Sequence, residues 1–221
     1  SLDEPIGPAG PIFDFAQTLI SGRGVMTHFE VMPEVERRAG AAESIEFDEP
    51  PVGVFSRRVF SDDPLGTVES TCQFHGFAGV EPNTVLLNWY EYDVVDARFS
   101  STVDRLIDLD FNVLLYAHDL NHEFDPKDCS IDVWWSPRGG NLPLSLSLIR
   151  FVTASDAWRE AKVRFVILAP EGANADALRS ATRRLLEEAR VEAQVKLIHL
   201  SGDEATENDA DRIAEVRALV P

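Results

Sequence analysis

Ser130-Ile131-Asp132-Val133-Trp134-Trp135-Ser136-Pro137-Arg138-Gly139-Gly140 decides how the chain folds. Ile131–Trp135 is a short run of β-branched and aromatic residues, and the paired glycines allow a sharp turn directly after it. The next segment is ambiguous from periodicity alone. Leu142, Leu144, Leu146 and Leu148 alternate like a strand, while Leu144, Leu148, Phe151 and Val152 fit one face of a helix. The segment has room for a helix of several turns, Asn141 is a candidate cap with Pro143 in the first turn, and strands flank it, so we assign a helix. Lys162–Ala169 then reads as a second strand. Strand, helix, strand is the unit that builds a parallel sheet.

The same alternation extends outward in both directions. Phe13, Ala16, Leu19 and Ile20 fall at helical spacing, and Gly24–Met32 comes next as strand. Residues 33–51 form a charged loop, partly helical around Glu34–Arg38. Val52–Phe60 is strand, and Asp63-Pro64 opens a helix that ends at Gly76 or Gly79. Thr84–Trp89 is strand, and Phe99, Val103, Leu106 and Ile107 mark an amphipathic helix. Asn112–Ala117 reads as a strand buried on both faces. Toward the C-terminus, Asp176–Arg190 is helix, Gln194–Leu200 strand, and a last helix is expected after Ser201 or Thr206. The expected fold is α/β, a mainly parallel sheet with helices on both faces, in two similar halves: a flexible lead-in over 1–11, then 12–125 and 126–221. On a central strand of such a sheet, Trp134 and Trp135 would both be core anchors.

Among 221 residues, 44% are hydrophobic, enough for a buried core. No apolar run approaches the ~20 residues needed to cross a bilayer. The fragment is therefore expected to be soluble. The formal charge of −18, from 38 acidic and 20 basic residues, opposes binding to nucleic acid. Cys72 and Cys129 have no C-x-x-C spacing and read as unpaired thiols of a reducing compartment.

In open parallel sheets ligands bind beyond the carboxyl ends of the strands, here Trp89–Asp93, His118–Asp128, Ser136–Asn141, Pro170–Asn174 and His199–Asp203. His118, Asp119, His122, Asp125, Asp128 and Cys129 offer metal-ligand types but no zinc spacing, so no metal site is assigned. Gly139 and Gly140 sit where a phosphate would meet backbone N–H groups, and are weak nucleotide candidates. Neither G-x-G-x-x-G nor a P-loop occurs, and the structural reading is that both glycines shape the turn. Ser136, Ser145 and Ser147 lack a nucleophile elbow. No catalytic residue and no cofactor is expected.

A second stretch, Gly76-Phe77-Ala78-Gly79-Val80-Glu81-Pro82-Asn83-Thr84-Val85-Leu86-Leu87, precedes the tryptophan strand. Together they resemble the cytoplasmic C-terminal domain of the cation-chloride cotransporter family, within the amino acid–polyamine–organocation superfamily. There a glycine-rich helix end runs into a Pro-Asn-Thr turn and an apolar strand, and an Ile-Asp-Val-Trp-Trp strand comes later, before a Gly-Gly turn and a leucine-rich helix. The signature positions are Gly79, Pro82, Asn83, Asp132, Trp134, Trp135, Gly139 and Gly140. Phe15-Ala16, Gly24-Val25-Met26, Trp158-Arg159 and Arg164 extend the likeness over most of the chain. Departures are Glu81 in place of the usual lysine, Arg138 in place of a frequent aspartate, and no apolar strand ahead of the first helix. The resemblance implies a universal-stress-protein-like fold serving as a non-catalytic regulatory domain at the cytoplasmic side of the cell membrane. It also implies a homodimer, with the chain's own transmembrane domain as partner. The alternative is a free-standing nucleotide-binding protein of the universal-stress type.

Overall fold

The computed structural model describes residues 10–20, 24–40, 52–75, 81–89, 97–118, 129–135, 141–169 and 172–199. Two compact units divide the chain, Ser1–Glu123 and Phe124–Pro221. The fold is α/β, and every paired strand runs parallel to its neighbour. Among the described residues no helix is long and apolar enough to cross a membrane.

The first unit runs α1 (Pro11–Ile20), β1 (Met26–Met32), α2 (Glu34–Arg38), β2 (Val54–Phe60), α3 (Pro64–Phe74), β3 (Thr84–Asn88), α4 (Ala97–Asp108) and β4 (Asn112–Tyr116). β1 pairs with β2 and β3 with β4. The even-numbered side chains of β1 and β2 share one face, which meets α1 where Phe13 packs edge-on against His28, ring centroids 5.3 Å apart. The opposite face carries Thr27 and Phe29, and both meet His75 at the end of α3. This sheet therefore has a helix element on each side. Gly53 leads into β2 with φ +79, and a Cβ there would lie 2.7 Å from the Gly24 carbonyl oxygen, so both backbone and space demand glycine.

The second unit runs β5 (Ser130–Trp135), α5 (Leu142–Ala154), β6 (Lys162–Ala169), α6 (Ala175–Ala189) and β7 (Gln194–His199), in the order β5-β6-β7. Two right-handed crossovers that step the same way across a sheet leave both helices on one face. The core obeys this rule. Val163, Phe165 and Ile167 of β6 cluster with Ile149 of α5 and Leu186 of α6, and Ile131, Val133, Trp135, Val195 and Leu197 pack around them.

Local chemistry explains most element boundaries. Asp63 accepts a hydrogen bond from Gly66 N at 3.0 Å ahead of Pro64, and Asn174 accepts one from Ala177 N at 3.0 Å. α4 and α6 end alike, through a non-glycine residue in the left-handed region, Asp110 (φ 67) and Arg190 (φ 56). The next amide closes each turn, Phe111 N to Leu106 O at 3.1 Å and Val191 N to Leu186 O at 2.9 Å.

Three expectations are corrected. Asn141 occupies the cap position of α5, but its side chain makes no cap hydrogen bond, because φ −93 and ψ 11 are not the extended backbone that aims a cap inward. Its carbonyl instead accepts from Ser145 N and Oγ. β4 is not buried on both faces, since Leu115 is 43% exposed. Trp134 is not a buried anchor either, being 39% exposed. Among the described residues β5 lies at one edge of its sheet, with its helices on the Trp135 side. The expected C-terminal helix and the lead-in over 1–9 lie outside the described residues.

Candidate functional site

Adjacent residues of a strand point to opposite faces, so the two tryptophans part company. Trp135 turns toward α5 and α6, its ring 6.0 Å from that of Phe165. Its indole nitrogen is buried and has no hydrogen-bond partner among the described residues. Trp134 stands on the outer face, in one row with Val166 and Lys196 by strand register. The preceding row is Asp132, Arg164 and Gln194.

In that row Arg164 donates to both carboxylate oxygens of Asp132, from Nε and from the terminal nitrogen, each at 2.6 Å. The planar fork matches the carboxylate, so the pair is held in register as well as in charge. The hydrogen bond to Asp132 raises the guanidinium pKa above its ordinary value, partly opposed by burial. Arg164 also reaches Ser130 Oγ at 3.5 Å. The pair links two neighbouring strands.

Three other signature positions, Gly79, Gly139 and Gly140, lie outside the described residues, as do most of the strand-end loops singled out for ligands. Pro82 and Asn83 are exposed. The carbonyl of Asn83 accepts Asn112 N at 2.8 Å and Asn112 Nδ2 at 3.1 Å, and its side chain accepts Thr84 Oγ1 at 2.9 Å. Asn83 therefore aligns the starts of β3 and β4. Of the strand ends among the described residues, Trp89 packs edge-on against Phe99, and His118 stacks on Tyr116, which stacks on Phe15. Two shallow depressions of about 260 and 560 Å³ lie elsewhere, one lined by Lys162, Val163 and Gln194 and the other by Arg183, Glu187 and Arg190. Both sit at the amino ends of β6 and β7, the edge opposite the one where parallel sheets bind ligands. Among the described residues no group of three or more His, Cys, Asp and Glu is placed to hold a metal ion.

Sequence reading missed a polar cluster between α3 and α4. Thr102 Oγ1 donates to Glu69 Oε1 at 2.7 Å, and Arg105 approaches Glu69 at 3.2 Å and Arg98 at 3.8 Å. Glu69 and Thr102 are buried. The signal was present in Arg98, Thr102 and Arg105, which fall at i, i+4 and i+7 and so share a stripe.

The tryptophans make a direct comparison. Trp135→Ala is expected to destabilise by about 3 kcal/mol and Trp134→Ala by about 1 kcal/mol or less, measured by denaturant unfolding. Trp135→Phe should cost no more than about 1 kcal/mol, because it removes an unpaired buried N–H together with the ring area it loses. Equal losses at 134 and 135 would contradict the assignment of faces.

No family model matches the chain, and no curated protein matches it.

Proposed function

We propose that the chain is a non-catalytic regulatory and dimerisation domain at the cytoplasmic side of a membrane transporter of the cation-chloride cotransporter or amino acid permease type. Its partners are a second copy and the membrane-spanning part of its own polypeptide. It resembles universal stress proteins in fold and takes no cofactor. The observation that carries the reading is the order of the two sequence motifs, each falling at a strand of a parallel α/β unit. Gly76–Leu87 runs into β3, and Ile131–Trp135 forms β5 directly ahead of leucine-rich α5. The signature polar residues among those described have structural partners. Asp132 is engaged by Arg164, and Asn83 by Asn112 and Thr84. Such residues hold a scaffold in register rather than turn over a substrate.

Two measurements test the proposal. Light scattering is expected to give a mass near twice the 24.6 kDa of one chain. Calorimetry with ATP is expected to show no saturable heat. Micromolar ATP binding by a monomer would instead establish the free-standing nucleotide-binding reading. Ten or more apolar spans encoded ahead of Ser1 would support the transporter reading independently.

A further inference from the structure

α1 is anchored to the β1–β2 sheet by one buried side chain, Phe13. Against that ring lies the imidazole of His28, edge-on at 5.3 Å and 73°. Among the described residues, the polar groups beside His28 are poor hosts for a positive charge. Ser56 Oγ of β2 lies 3.4 Å from Nδ1. Glu30, two residues along β1 on the same face, is held by Arg58 Nε of β2 at 2.7 Å, and both side chains are largely buried. The carboxylate that could serve an imidazolium is thus engaged by a guanidinium, which would itself repel one. α1 contributes a single charged residue, Asp14, which is exposed. His75 is on the opposite face of the sheet, beside Thr27.

We propose that His28 is an acid-sensitive latch: protonation of its imidazole beneath Phe13 releases α1 from the β1–β2 sheet. Burial pushes the His28 pKa below its ordinary 6.5, and the nearby charge of Glu30 only partly offsets this. With α1 docked, His28 therefore resists the proton that it would accept when α1 is released. The docked state gains from a neutral His28 at all pH above 6.5 and loses that gain as pH falls through the lowered value. One ring would thereby couple the position of α1 to the acidity of its surroundings, whatever larger assembly the chain serves.

Hydrogen exchange tests this on the whole chain. After correction for intrinsic rates, protection of residues 11–20 is expected to fall about threefold or more between pH 7.5 and 5.0, while α5, residues 142–154, keeps its protection. The fall should vanish in His28→Phe, which keeps a ring under Phe13. It should also vanish in His28→Gln, which stays polar beside Ser56 if the phenylalanine variant folds poorly. His118, which reaches α1 through Tyr116 and Phe15, is the competing source of pH dependence. His118→Phe is expected to retain the fall. A wild type without the fall, an equal fall in α5, persistence in both His28 variants or loss in His118→Phe would each overturn the proposal. So would an NMR titration placing the His28 midpoint at or above 6.5.

Discussion

Replacing Phe165 with Ala is expected to lower stability by about 3–5 kcal/mol, the range for emptying a ring-sized site in a packed core. Phe165 has no exposed surface, occupies the middle strand of its sheet and is enclosed by Ile149, Leu186 and the ring of Trp135. Central position leaves little freedom to collapse around the void, because β6 is tied to β5 on one side and β7 on the other. Phe165→Leu, which keeps most of the volume, should cost only about 1–1.5 kcal/mol. Denaturant titration reads the difference as a shift in midpoint at unchanged slope. A loss near 1 kcal/mol for the alanine variant would mean that α5 and α6 close over the gap.

Glu69→Ala is expected to cost about 2–3 kcal/mol, and most of that arises from a hydroxyl rather than from charge. Arg98 and Arg105 are 46% and 59% exposed in their side chains, so neither is left as a buried charge when Glu69 is removed, Arg98 keeping Asp63 at 3.6 Å, and their ion pairs with Glu69 contribute little. Thr102 cannot accompany them. It has no exposed surface, and loss of Glu69 Oε1 strands its donor between α3 and α4. Glu69→Gln preserves an acceptor and should cost less. In a double-mutant cycle, Thr102→Val should recover part of the Glu69→Ala loss by removing the orphaned hydroxyl. A loss below about 0.5 kcal/mol for Glu69→Ala would show that apolar contacts from Phe99 and Leu106 hold these helices unaided.

Much of the element order was legible because the deciding signals are local. Asp63-Pro64 fixed the start of α3 through a cap that the structure shows at 3.0 Å. The apolar run Lys162–Ala169 marked β6 with its observed ends. The features that stayed hidden depend on neighbours. Period-two alternation requires that Trp134 and Trp135 face opposite ways, but only the strand order tells which face is covered, and strand order is set by residues over thirty positions away. Leu115 was misread for the same reason. The chemistry of His28 was equally silent. A histidine in an apolar strand carries no local mark of the Phe13 ring above it or of the Glu30–Arg58 pair beside it. The outer face of β5–β6–β7 was legible only as a set of signature positions, and geometry joined Asp132 to Arg164.

Parallel pairing throughout also governs how the chain comes to be folded. The side-chain bonds that cross β1–β2 and β5–β6 join residues 28 and 32 positions apart. A parallel ladder has no hairpin to nucleate it, and each rung waits until the whole intervening crossover has closed its loop. The second unit therefore cannot complete its sheet until β6 has been made, and until then Ile131–Trp135 lacks the strand it pairs with. An unpaired Ile131–Trp135 offers two tryptophans and a β-rich stretch at once, so a chain whose β5 has not yet met β6 is expected to be prone to aggregation.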